Sequence, residues 1–249
     1  MRKPPKMTSR TGALLDRSTV SKGRRNAKLT LHHDGVLTGW RRAQLNSKEV
    51  EQVRALATVL PELANQGHEL YTYFELLAEG IQAAVPIGWH PAGDLLRGLK
   101  MLPASEPIAR AKVMGSRTFH QVADRSDVVA FVERLLERAP FWPEMEKNFS
   151  DFEKENAAKR DRLRELCEGL KPQHYPDALH LWAAEVNGLR YFLTMDGRFC
   201  NLMTKTKQIA LPCTPLRPTD LMSELGVTSL LPFPALDDDE WHAFHEGHP

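Results

Sequence analysis

The sequence predicts an α/β fold with three layers, α/β/α, around a central, mostly parallel sheet. Three observations carry that prediction. Helical patterns alternate with short buried strands along the chain. Residues 176–196 spell a helix, a tight turn and a strand, which is half of a crossover between parallel strands. Several apolar runs end in an acid, as strands do when their carboxyl ends face a site. The chain has 249 residues, enough for one domain with a sizeable insertion. We expect a basic leader over residues 1–10, one domain over 11–230 with a helical insertion at about 85–170, and an acidic tail over 231–249.

The elements follow in order. Gly12–Leu15 is a brief apolar run closed by Asp16, and reads as a buried strand. Residues 28–40 alternate around Asp34-Gly35 and read as a hairpin. Ser47 stands at an N-cap position before Val50, Val53, Leu56, Ala57 and Leu60, which share helical spacing; Pro61 and Gly67 are expected to bring that chain around. His68–Tyr73 reads as a strand that runs into a helix over Phe74–Ala84, with Glu75 and Glu79 one turn apart. Residues 85–118 are rich in Pro and Gly and predict loops with a short helix near 94–99. Residues 126–170 predict helices interrupted at Pro140 and Pro143. Pro176-Asp177 opens the next helix, Asn187-Gly188 stops it, Tyr191–Thr194 is a strand, and Asp196 lies just past its end.

Composition excludes several classes. Net charge is +1, so total charge does not identify a partner, but nine Lys or Arg and a single acid fall within residues 1–30. A basic arm of this kind can hold phosphate backbone, or it can be a solvated terminus. The three cysteines are widely spaced and form no zinc pattern or disulfide framework, so a reducing, cytoplasmic setting is expected. No apolar segment follows the basic start as a secretory signal would require, and none is long enough to span a membrane.

The acids carry the chemistry. Asp16 and Asp196 end strands, Glu75 lies in the first turn of a helix that follows a strand, and Asp177 opens a helix. Carboxylates gathered at one sheet edge repel each other, and a hard divalent cation relieves that repulsion. Such a site suits phosphodiester hydrolysis. Each acid also has a plainer reading: Asp177 as a dipole-favoured helix start, Asp196 as a turn former before Gly197.

Residues 177–199, DALHLWAAEVNGLRYFLTMDGRF, resemble the C-terminal signature of PIN-domain nucleases: an Asp opening a helix, small residues along it (Ala183-Ala184), and a strand ending in Thr-x-Asp with a Phe shortly after. The stretch covers about a tenth of the chain. The resemblance implies a quartet of Asp16, Glu75, Asp177 and Asp196 binding Mg²⁺ or Mn²⁺, with Ser18, Thr194 and Glu79 in support. Asp34 competes with Asp16 for its corner, and Glu79 with Glu75. It implies an endoribonuclease acting on RNA, either a toxin with an antitoxin-like protein partner or an RNA-processing enzyme; a homodimer is compatible with either. A PIN-like module that binds RNA or protein without cutting is the alternative. Arg24, Arg25, Arg198 and Lys205, with Lys207, are candidate phosphate contacts. His180 is expected to be packed or at the surface rather than a ligand. His242, His245 and His248 have metal-like spacing without a scaffold, and Trp40, Trp89 and Trp142 are either stacking platforms or core.

Overall fold

The computed structural model describes residues 10–23, 27–31, 37–42, 46–81, 95–96, 99–115, 124–137, 142–207, 209–231 and 241–243. Its centre is a five-stranded, all-parallel sheet. Strand β1 (Arg10–Leu15) lies in the middle, and the hairpin strands β2 (Ala27–Leu31) and β3 (Leu37–Arg42) follow it in sequence. The other central strands are β4 (Glu69–Thr72), β5 (Met101–Pro103), β6 (Leu189–Leu193) and β7 (Thr214–Leu216). The spatial order is β5-β4-β1-β6-β7. The chain builds outward from β1 to β5 on one side, then returns to build β6 and β7 on the other. The order therefore reverses between β1 and β6, and in open α/β sheets the crevice for ligands lies at the carboxyl end of that reversal. The hairpin forms a separate antiparallel sheet with β8 (Trp241–Ala243). Thus part of the acidic tail is a strand.

Alternation along β1 divides the core. Ala13 and Leu15 face one side together with Leu70, Tyr191 and Leu193. They pack on Leu56, Val59, Leu60 and Leu63 of helix α2 (Ser47–Asn65), after α1 (Arg17–Gly23). Leu14, Tyr71 and Phe192 face the other side. On that side α3 (Phe74–Ile81) follows β4 and contributes Leu76, and α4 (Arg110–Met114) follows β5 and contributes Val113. The second layer is α5 (Arg125–Leu136), α6 (Trp142–Glu146), α7 (Asp151–Ala158), α8 (Arg160–Cys167) and α9 (Tyr175–Val186). Phe131, Leu135, Leu163, Leu166 and Trp182 from these helices are almost wholly buried. Each large apolar side chain so buried contributes roughly 2 kcal/mol. The fold closes with α10 (Gly197–Asn201), a π-helical turn at Leu202–Thr206, and α11 (Pro218–Glu224), whose Leu221 joins the α2 side.

Several local expectations change. The N-cap of α2 is Asn46 in a capping box with Glu49, and Ser47 is the first helical residue. Pro61 does not end α2, which runs on to Asn65. Proline costs a helix one backbone hydrogen bond, but Leu60 and Leu63 on either side are fully buried, and their burial holds the last turns. The loop-heavy stretch contributes an edge strand, β5, paired to β4. At 94–99 the described residues form only a turn at 95–96. Gly188 adopts φ 68°, which turns the chain from α9 straight into β6. No described helix is long and apolar enough to cross a membrane.

Candidate metal centre

The site is built on the ends of β1 and β6. Both strands continue their ladders one residue past the sheet: the Asp16 amide donates to the Leu193 carbonyl at 2.9 Å, and the Thr194 amide to the Leu216 carbonyl at 3.0 Å. This fixes the backbone of Asp16 and Thr194 side by side. The buried Asp16 carboxylate accepts, on Oδ2, the Thr194 hydroxyl at 2.8 Å, the Ser18 amide at 3.3 Å and the Ser18 hydroxyl. The same two hydroxyl oxygens accept amides from the β6 exit: Met195 on Ser18 Oγ and Asp196 on Thr194 Oγ1, each at 3.1 Å. Ser18 and Thr194 therefore brace Asp16 and the loop carrying Asp196 as one unit.

Asp196 is the N-cap of α10. Its Oδ1 accepts the Arg198 amide at 2.8 Å and the Phe199 amide at 3.0 Å. Phe199 is buried edge-on against Phe192, which anchors the short helix. Asp177 lies in the first turn of α9, and both its oxygens accept from Arg125 Nη2, at 3.0 and 3.1 Å. His174 closes a 3₁₀ turn just before α9, and its Nδ1 lies 3.7 Å from Asp177 Oδ2. One ligand atom from each of His174, Asp177 and Asp196 lies within 4.8 Å of the others. Asp16 is not a member of that set but adjoins it. Burial raises the Asp177 carboxyl above its ordinary value; Arg125 and His180 oppose this, and the Asp16 carboxylate adds to it. The donor set suits a divalent cation, with carboxylate oxygens from Asp177 and Asp196, an imidazole from His174 and the Asp16 carboxylate beside them, although Arg125 already pairs with Asp177.

Glu75 stands apart from this group. Its carboxylate meets Arg110 at 3.0 Å, with both side chains only 2% exposed, and Arg110 also reaches Asp127 of α5 at 3.1 Å. Helix α3 packs against α1 on the Asp16 side, so the backbone places Glu75 at the right edge. Arg110 from α4 offsets its charge there. Glu79 lies in α3, but its side chain falls outside the described residues, as do Asp34, Arg24, Arg25, Trp89, His245, His248 and the side chains of Trp40 and His242.

Arg198 and Lys205 are exposed on α10 and the π-helical turn. Lys207 does not face solvent for phosphate; its Nζ donates to the Glu165 and Leu166 carbonyls at 2.6 and 2.7 Å, at the end of α8. Trp142 is core, with Arg160 stacked 4.0 Å over its ring. His180 is packed, with Nδ1 2.6 Å from the Tyr73 hydroxyl. Burial pushes the Cys167 and Cys200 thiols up to about 12, so neither serves as a nucleophile.

Three groups at the site escaped the sequence reading. His174 had a usable signal, three residues before the helix-opening Asp. Arg125 had none, because nothing local links it to residue 177. Arg217 follows β7 and pairs with Asp220 at 2.9 and 3.1 Å. It passes so close to Gly197 that a Cβ there would lie 2.9 Å from Arg217 Cδ. A cation thus borders the helix start that Asp196 caps.

No family model matches the chain, and neither the curated proteins nor the solved structures yield a match.

Proposed function

We propose that this protein is a PIN-like, divalent-cation-dependent endoribonuclease. The observation that carries the reading is that Asp177 and Asp196, on one helix–turn–strand unit, offer ligand atoms within 4.8 Å of each other beside the Asp16 carboxylate from a remote segment, at the point where the strand order reverses. Asp16, Asp177 and Asp196 hold Mg²⁺ or Mn²⁺ in this reading. A bound cation of this type offsets negative charge on the phosphate and makes water easier to deprotonate. The chain's own residues do the rest. Ser18 and Thr194 tie up one oxygen of Asp16 and fix its orientation. The cap bonds to α10 do the same for Asp196. Arg198 and Lys205 meet the phosphates of the bound strand.

The test is cleavage of labelled single-stranded RNA with Mn²⁺. Asp177→Asn and Asp196→Asn should each lower the rate by at least about a hundredfold. Full activity in either variant, or in EDTA, would remove the assignment. A toxin would also arrest growth on expression, relieved by an antitoxin-like partner; an RNA-processing enzyme would not.

One observation favours a second reading, a PIN-like module that binds RNA or protein without cutting it. Glu75, the fourth carboxylate implied by the resemblance, is neutralised by Arg110. That reading expects RNA retention without cleavage in either metal.

A further inference from the structure

We propose that His174 is itself a ligand of the cation and that its imidazole makes the site select Mn²⁺ over Mg²⁺. The inference deepens the nuclease reading and rests on it for the cation's role in catalysis, whereas the binding behaviour is testable without cleavage.

Position supports it first. His174 and Asp177 are three positions apart across the junction of a 3₁₀ turn and α9, so both side chains face the same way. Asp196, just past the end of β6, completes the group. Donor atoms of the three lie within 4.8 Å of each other. Ligand atoms around a cation with bonds of about 2.1 Å are roughly 3–4.2 Å apart, so small side-chain adjustments suffice.

The hydrogen bonds point the same way. His174 Nδ1 is 3.7 Å from Asp177 Oδ2, too far for a hydrogen bond. Both Asp177 oxygens already accept from Arg125. Among the described residues the His174 ring donates and accepts no hydrogen bond; its polar contact is the 3.7 Å approach to Asp177. The cap amides use Oδ1 of Asp196, which leaves Oδ2 for a cation.

Selectivity follows from donor chemistry. Mg²⁺ demands oxygen ligands and retains its waters, whereas imidazole nitrogen is a good ligand for later divalent metals, and Mn²⁺ accepts a mixed set. Removing the imidazole should therefore cost Mn²⁺ affinity and leave Mg²⁺ affinity nearly unchanged.

The experiment titrates the full chain with Mn²⁺ and follows the free ion by electron paramagnetic resonance; Mg²⁺ affinity is read by competition. Wild-type protein should bind Mn²⁺ and show electron spin-echo modulation from a directly bound nitrogen. In His174→Ala, Mn²⁺ affinity should fall about tenfold or more, Mg²⁺ affinity less than about threefold, and the nitrogen modulation should vanish. His174→Gln is the second variant if the alanine form folds poorly, and it should lose the same nitrogen signal. Unchanged Mn²⁺ affinity, equal loss for both metals, or nitrogen modulation that survives in the variants would overturn the proposal. Wild-type protein that takes up no Mn²⁺ at millimolar concentration would overturn it together with the nuclease reading. His174-dependent Mn²⁺ binding in a protein that cuts no RNA would support the ligand assignment and remove the nuclease reading alone.

Discussion

The Thr194 hydroxyl donates a 2.8 Å hydrogen bond to Asp16 Oδ2 across 178 positions of sequence, and so couples the carboxyl ends of β1 and β6. A strand residue with a methyl in place of that hydroxyl cannot do this. Thr194→Val should slow RNA cleavage by roughly 10–100-fold, as loss of a ligand-orienting partner does. It should cost about 1–2 kcal/mol of stability, because a buried carboxylate loses one donor. Thr194→Ser should restore most of both. Steady-state cleavage rates and urea melts of the three forms test this; equal rates in Val and Ser variants would show that the hydroxyl does not position Asp16.

Asp196 separates its structural role from its chemical one. An Asn at an N-cap still accepts amide hydrogen bonds, so Asp196→Asn should keep stability within about 0.5 kcal/mol while activity collapses. Asp196→Ala should lose the cap as well, at about 1 kcal/mol. Thermal melts set beside cleavage rates decide it. If the Asn variant melts as low as the Ala variant, the cap bonds described for α10 are not what stabilises this turn.

Much of this arrangement was legible beforehand because it is local. An apolar run closed by an acid marks Asp16, and the helix–turn–strand unit from Pro176 to Asp196 is continuous in sequence. The parallel sheet also follows from alternation of helices and buried strands. What was not legible depends on distant partners. Arg110 meets Glu75 only because α4, after the short edge strand β5, folds back on α3. Arg125 reaches Asp177 across 52 positions. No periodicity or spacing encodes either pairing. Pro61 misled for the opposite reason: a local rule ended the helix, and burial of Leu60 and Leu63 overrode it.

The Glu75–Arg110 pair is nearly inaccessible to solvent, and Arg110 keeps Asp127 as a second carboxylate partner when Glu75 is removed. Glu75→Gln should therefore cost about 1–2 kcal/mol, the loss of one buried charged hydrogen bond rather than of all compensation. Because Glu75 lies outside the His174, Asp177 and Asp196 set, cleavage per folded molecule should fall less than about tenfold. Denaturant melts and active-site-normalised rates test the two halves. A loss of rate equal to that of Asp177→Asn would return Glu75 to the metal centre.

Glu153 gives the fold a dependence on acid. Burial alone would raise its carboxyl. Bonds from Lys112, the Ser150 amide, the Ala109 amide and the Ser150 side chain outweigh that and hold it at about 2, against 4.5 ordinarily. These bonds tie α7 to the start of α4, the helix that delivers Arg110 to Glu75. The folded carboxyl binds its proton less readily than the unfolded one, so its stabilisation is complete above about pH 4.5 and is lost as pH falls through about 2. Lys112 is partly exposed, and screening reduces the full linkage value to about 2 kcal/mol. Glu153→Gln should therefore be less stable than wild type by about that amount at pH 7, and the difference should shrink steadily as pH drops from 4.5 toward 2. Urea melts of both proteins across that range give the test. A difference that stays constant with pH would mean that shape and packing at residue 153, rather than its charge, hold α7 against α4.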